Sequence, residues 1–179
     1  MYWLYSFDET VKKIKSQAAN ALTILNLGLG ALAIFYTFHH QIGLAILLIT
    51  LAAVFDRLDG IVARKLDIVS DFGKQLDSLC DLISFGMAPA ILVYMTALYE
   101  FGISGVFFGV LFIACGAIRL AKFNLMEENG YFIGLPITAA GSILTVSALL
   151  EGIIADVWFM ILLFILAFLM IGPFRLKKM

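Results

Sequence analysis

The chain has 179 residues, of which 63% are hydrophobic and 14% charged, with a mean hydropathy of +1.03. Soluble domains are roughly 45–50% apolar and about 25% charged, so this excess is more than one soluble core can bury and marks a membrane protein. A formal net charge of −1 argues against nucleic acid as a partner, and several spans of about 20 residues leave little chain for a large soluble catalytic domain.

From the N-terminus, Trp3, Leu4, Phe7, Val11 and Ile14 recur at helical spacing among Asp8, Lys12, Lys13 and Lys15. The pattern predicts an interfacial amphipathic helix over residues 1–17. No positive start, short apolar stretch and small-residue cleavage site follow in order, so the first span is expected to stay in the mature protein. Apolar segments near 21–38, 42–63, 75–98, 103–121, 132–150 and 154–174 predict six transmembrane helices. Pro89 is expected to kink the third and Pro136 to mark an irregular start of the fifth. The breaks are short, so the chain reads as one all-α membrane domain over 1–179, with a six-helix bundle over 21–174. Cys80 and Cys115 lie in apolar stretches and read as buried thiols, and His39 and His40 lie too far from them for zinc-ligand spacing.

All twelve lysines and arginines fall at alternate span ends: before span one, around the second loop, after span four and at the C-terminus. Positive residues near span ends stay cytoplasmic, so both termini and the second loop are expected on that side of the cell membrane.

Six of the eight aspartates fall between Asp56 and Asp81. An acidic residue inside a span costs roughly 2.5–3.5 kcal/mol on insertion scales, so such crowding calls for a compensating ligand. Asp56 and Asp59, three apart, stand about 60° apart around one helix, and Asp77 and Asp81, four apart, about 40°. A short turn makes the two helices antiparallel neighbours, so the four carboxylates can converge at one depth. Oxygen ligands in this number suit Mg²⁺, Mn²⁺ or Ca²⁺ rather than zinc. Gly60, Ala63 and Gly73 keep space open nearby, and Arg64, at the same cytoplasmic end, could bind a phosphate through its planar fork. Three readings follow: metal-assisted chemistry on a diphosphate, an ion pathway in a transporter, or a structural network with Arg57, Arg64 and Lys74. Asp67 and Asp71 read as solvated turn residues or caps.

The segment D56-RL-D59-G60-IV-A63-R64-KLDIVSDF-G73-KQL-D77-SLC-D81 resembles the signature of the CDP-alcohol phosphotransferase family, D-x2-D-G-x2-A-R-x8-G-x3-D-x3-D, at all eight fixed positions. The resemblance implies a six-helix membrane enzyme, usually a homodimer, that uses two divalent cations, Mg²⁺ or Mn²⁺. It implies that Asp56, Asp59 and Asp77 bind the metals, with Asp81 at the metal site and acting as the general base. Gly60, Ala63, Arg64 and Gly73 would help form the CDP pocket. The implied reaction is attack by an alcohol oxygen on the lipid-side phosphorus of a CDP-linked lipid, releasing CMP, with a covalent lipidyl-enzyme route as the alternative.

Four further stretches, NALTILNLGLG (20–30), DSLCDLISFGMAPA (77–90), CGAIRLAKFN (115–124) and FIGLPITAAG (132–141), resemble the phosphatidylserine synthase branch of that family. One departure is Ala19, where a proline is expected before Asn20. The acceptor implied is L-serine, with phosphatidylserine or its archaeal ether-lipid counterpart as product. Arg119, Lys122 and Asn124 are candidates for the serine site, weighed against ordinary cytoplasmic anchoring of the two cations, and so is Ser84, one turn beyond Asp81, weighed against a backbone-bonded serine. A phosphorylated acceptor, glycerol 3-phosphate or inositol phosphate, is the rival within the family, and a divalent-cation transporter the rival outside it.

Overall fold

A computed structural model describes the backbone of residues 2–65, 70–125, 131–172 and 175–177, and the side chains of 20–61, 70–125 and 134–172. The first 37 described residues form one helix, α1 (Tyr2–Phe38), so the interfacial segment expected over 1–17 continues into the first span without a break. The junction contains Ala18, Ala19 and Ala21 and neither glycine nor proline, and alanine is the best helix former. Its side chains up to residue 19 lie outside the described set.

At His39 and His40 the chain reverses, with His40 in the left-handed region at φ 57°, and α2 (Ile42–Lys65) returns along α1. Small residues line the contact: Ala33 on α1 and Ala45 and Ala52 on α2 are fully buried, so the backbones approach closely. Without lipid-excluded water to drive association, this close packing is what holds the pair.

The next helical run extends from Asp71 to Phe101 and changes its winding on the way. It opens as α3 (Asp71–Asp81), whose N-terminus is capped by Ser70; the Gly73 N–H donates to Ser70 Oγ at 3.0 Å. A π-helical segment, Leu82–Met87, follows, then α4 (Ala88–Val93), a second π-turn at Tyr94–Leu98 and a 3₁₀ turn at Tyr99–Phe101. Pro89 accounts for the first change. Its ring crowds the carbonyl of Phe85 four residues back and offers it no N–H, so the helix widens instead of breaking. Gly141 of α6 fits against that stretch: a Cβ there would overlap the Phe85 oxygen and lie 2.9 Å from Phe85 Cα.

Helix α5 (Ile103–Leu125) follows Gly102, and α6 (Ile137–Ser147, extended by a 3₁₀ turn to Leu150) and α7 (Val157–Ile171) complete the bundle. The fifth and sixth apolar segments are shorter as helices than expected. Residues 131–133 form a strand, β1, paired antiparallel with β2 (Arg175–Lys177), Phe132 opposite Leu176. Gly134 (φ 75°) and Pro136 (ψ 139°) then delay the helix to Ile137. Among the described residues the regular structure is therefore helical apart from this small ribbon. Phe85, Phe112, Phe159, Leu144 and Leu163 fill the centre, whereas Leu32, Phe35, Leu47, Phe107 and Phe168 point outward. Apolar residues exposed on this scale suit contact with lipid.

Among the described residues three helical runs are long and apolar enough to cross a membrane: Asn20–Phe38, Asp71–Phe101 and Ile103–Leu125. Ile137–Leu150 and Val157–Ile171 are shorter apolar helices, and α2 carries Asp56, Arg57 and Asp59 toward its end.

The close contact at Gly141 makes a direct prediction. Gly141→Ala should destabilise the purified protein by about 1–3 kcal/mol, the usual cost of overpacking, measured as a lower melting temperature in detergent. Gly43→Ala, where an added Cβ meets nothing within 4 Å, should leave it unchanged.

Candidate metal centre and substrate cavity

The spacing of the aspartates works as the helical period requires. Asp56 and Asp59 near the end of α2, and Asp77 on α3, each bring one carboxylate oxygen within 4.8 Å of the others. Asp81, a turn further along α3, lies within hydrogen-bonding range of Asp56. Thr23 of α1 reaches the group from behind and hydrogen-bonds Asp59, as does the Gly60 backbone N–H.

Electrostatics then favours a cation. Asp59 Oδ2 and Asp81 Oδ1 are buried with no hydrogen-bond partner. Among the described residues the one ion pair within 4 Å is Lys74 with Asp71, an exposed contact at 3.9 Å; of the described cations, buried Arg119 attracts one of the four carboxylates, Asp81. Carboxylates crowded in a low-dielectric setting repel one another strongly unless positive charge lies between them. An all-oxygen donor set of this kind fits hard divalent cations. Of the alternative network with Arg57, Arg64 and Lys74, neither Arg57 nor Lys74 pairs with these four carboxylates among the described residues, and the Arg64 side chain lies outside them.

The carboxylates form one side of a cavity of about 600 Å³. Gly60 and Arg57 join them from α2, Lys74 and Ser78 from α3, and Arg119, Leu120, Phe123 and Asn124 from α5. The start of α6 closes it with Pro136, Ile137, Thr138, Ala139 and Ser142. One wall is thus ionic and the other mixed, with Leu120, Phe123 and Ile137 apolar. Arg119 is buried, and its Nε has no hydrogen-bond partner. Asn124 is fixed at the edge: its Nδ2 donates to Ser78 Oγ at 3.0 Å and Gln75 Oε1 at 3.2 Å.

Some expected site residues fall elsewhere. Ser84 does not reach the cavity; it is fully buried against α1, and its hydroxyl donates to the Asn26 carbonyl at 3.1 Å. The cause is the winding: projection by 100° per residue holds to Asp81, but the π-helix begins at Leu82. Gly73 forms part of the α3 cap and is not among the cavity-lining residues, and Lys122 is exposed and outside the lining. Ala63 and Arg64 stand in the last turn of α2, with side chains outside the described set. Residues not singled out from sequence are Thr23, Ser78, Thr138 and Ser142. The last two, four apart on α6, put polar groups on one face of an apolar helix, a signal that spacing alone could have supplied.

Helical membrane packing and a converging set of four carboxylates define a class: membrane enzymes that use divalent cations in a cavity able to take a charged headgroup beside apolar chains. The profile of the CDP-alcohol phosphatidyltransferase family matches residues 16–171, and the chain belongs to that family. It is 42% identical over 126 residues to the CDP-diacylglycerol–serine O-phosphatidyltransferase of Bacillus subtilis, covering 70% of this chain and 71% of that protein. It is 43% identical over 134 residues to the archaetidylserine synthase of Methanothermobacter thermautotrophicus, and 39% over 135 residues to the CDP-diacylglycerol–serine O-phosphatidyltransferase of Helicobacter pylori. The match spans 57% of the length of each of these two longer proteins. Family and apolar helices together mark an integral membrane protein.

Cation binding should be visible without substrate. At free Mn²⁺ 100-fold above its dissociation constant, native-state binding should add about 2.7 kcal/mol of stability, read as a higher melting temperature that chelator reverses. Asp59→Ala and Asp77→Ala should each remove most of that gain.

Proposed function

We propose that this chain transfers the phosphatidyl group of a CDP-linked lipid, CDP-diacylglycerol or CDP-archaeol, to the hydroxyl of L-serine, giving phosphatidylserine or archaetidylserine and CMP. The observation that carries the reading is the convergence of Asp56, Asp59, Asp77 and Asp81 on one cavity that also holds a buried arginine. The names of the relatives from Bacillus and Methanothermobacter support serine as acceptor.

Asp56, Asp59, Asp77 and Asp81 would hold two divalent cations, Mg²⁺ or Mn²⁺. When bound, these neutralise the diphosphate and stabilise the departing CMP. Asp81 accepts the serine hydroxyl proton as the oxygen forms its bond to the lipid-side phosphorus, and the bond from that phosphorus to the CMP oxygen breaks. Gly60 lines the cavity without a side chain beyond its backbone, leaving room for the nucleotide; the signature assigns Ala63 and Arg64 to the CDP pocket as well, and Gly73 serves it through the cap of α3. Arg119 lines the cavity, and its guanidinium binds the serine carboxylate. Asn124 borders the same space, and exposed Lys122 adds positive potential three residues on from Arg119.

Six apolar segments support six spans, and the placement of the lysines and arginines supports both termini and the site on the cytoplasmic side. The nucleotide and serine then arrive from water while Leu120, Phe123 and Ile137 face the lipid portion. The family resemblance supports a homodimer as the active form.

Purified protein given CDP-lipid and Mn²⁺ or Mg²⁺ should release CMP only when serine is added. Release with glycerol 3-phosphate but not serine would reassign the acceptor, and metal flux into proteoliposomes without CMP release would point to a transporter. Asp81→Asn should lower kcat by about 10²–10⁴-fold, the usual contribution of a positioned base, with CDP-lipid binding retained. Loss of that binding would make Asp81 chiefly a metal ligand.

A further inference from the structure

Helix α6 begins without a side-chain cap. Its N-cap residue is Pro136, and the first N–H of the helix to meet a backbone acceptor is that of Ala140, which donates to the Pro136 carbonyl at 3.0 Å. Among the described residues the N–H groups of Ile137, Thr138 and Ala139 therefore have no backbone acceptor. Such an open first turn carries about half a positive charge and favours an anion. Pro136, Ile137, Thr138 and Ala139 all line the cavity that the four aspartates share, and Thr138 adds a hydroxyl to the turn.

A second, independent observation points to the same ligand chemistry. Arg119 of α5 lines this cavity, is 8% exposed, and has a buried Nε with no hydrogen-bond partner. It attracts Asp81, yet among the described residues it forms no ion pair within 4 Å. A buried guanidinium without an anion in contact is costly, so it too calls for one. The two features are neighbours. A Cβ on Gly116, three residues before Arg119, would lie 2.7 Å from Ile137 Cδ1, and a Cβ on Gly86, five residues beyond Asp81, would lie 3.5 Å from the same atom. The first turn of α6 thus sits where the helices carrying Arg119 and Asp81 meet.

From this juxtaposition we infer that the first turn of α6 and Arg119 together form the subsite for the carboxylate of the acceptor amino acid. The Thr138 and Ala139 N–H groups and the Thr138 hydroxyl donate to the carboxylate from α6, and the Arg119 guanidinium pairs with it from α5. The inference rests on the reading of L-serine as acceptor and adds a specificity device to it. The diphosphate of the CDP-linked lipid goes to the cations at the aspartate pole, which leaves the cationic pole for the acceptor. An amino alcohol lacking the carboxylate would leave both the arginine and the helix end unpaired, and so is rejected.

The test uses the full chain in detergent with CDP-lipid and Mn²⁺, assayed by CMP release. Serine is the substrate; 3-hydroxypropionate, which keeps the carboxylate, and ethanolamine, which lacks it, are competing inhibitors. Thr138→Pro removes an N–H and the hydroxyl at a first-turn position where proline is tolerated, and Thr138→Val removes the hydroxyl alone. The proline variant should raise KM for serine about 10–100-fold, the usual worth of hydrogen bonds to a charged group, with kcat and KM for CDP-lipid within about threefold of wild type. The inhibition constant of 3-hydroxypropionate should rise in parallel and that of ethanolamine should not. The valine variant should show the same pattern at smaller amplitude, and it carries the test should the proline variant not fold. Mn²⁺ binding, followed by electron paramagnetic resonance, should match wild type in both. An unmoved KM for serine, or ethanolamine weakened as much as 3-hydroxypropionate, would overturn the inference, as would a rise confined to the KM for CDP-lipid, which would give the turn to a phosphate. Absence of serine-dependent CMP release in the wild type would instead overturn the acceptor reading, and the subsite with it.

Discussion

Mutual repulsion among four carboxylates is the constraint around which this molecule is organised. Asp56, Asp59 and Asp77 present oxygens within 4.8 Å of one another, and Asp81 adds a fourth group against Asp56. In a setting of low effective dielectric such a cluster works against folding unless cations occupy it. The chain spends few of its own charges on that task. No described lysine or arginine lies within 4 Å of these carboxylates, and buried Arg119 attracts Asp81 alone. A divalent cation bound among them would offset the repulsion that remains.

Holding the cluster together requires helices that approach closely and do not shift. Ala33 on α1 and Ala45 and Ala52 on α2 are small and fully buried, and Gly30 lets α1 lie against Ser84 just beyond Asp77 and Asp81. The π-helical stretch that Pro89 imposes is braced by Gly141, so the same helix that supplies Thr138 and Ser142 to the cavity locks the run that carries Asp77 and Asp81. At the far end of the cavity, the β1–β2 ribbon and the Leu135 N–H donated to the Leu169 carbonyl at 2.9 Å fix where α6 begins. Backbone contacts thus set the depth at which Pro136, Ile137 and Thr138 face the carboxylates.

Much of this was legible in the sequence because regular helices obey a fixed period. Spacings of three and four placed Asp56 with Asp59 and Asp77 with Asp81, and a short connection made their helices neighbours. The same arithmetic failed for Ser84, since the winding widens at Leu82 and the serine turns to α1. It also could not separate Arg119 from Lys122, three residues apart, of which one is buried in the cavity wall and the other exposed. The strand pair was invisible for another reason: each strand has three residues, and the partners lie more than 40 positions apart in the chain. The continuity of α1 was hidden by an amphipathic pattern that suggested a separate helix, although Ala19 at the junction favours the longer one.

The central claim is that the four aspartates form one divalent-cation site. Anomalous scattering from crystals grown with Mn²⁺ tests it most directly. The account predicts two adjacent peaks enclosed by Asp56, Asp59, Asp77 and Asp81, each at roughly 2.0–2.3 Å from carboxylate oxygens. Peaks confined to other acidic residues, or a crystal saturated with Mn²⁺ and showing none among these four, would contradict it.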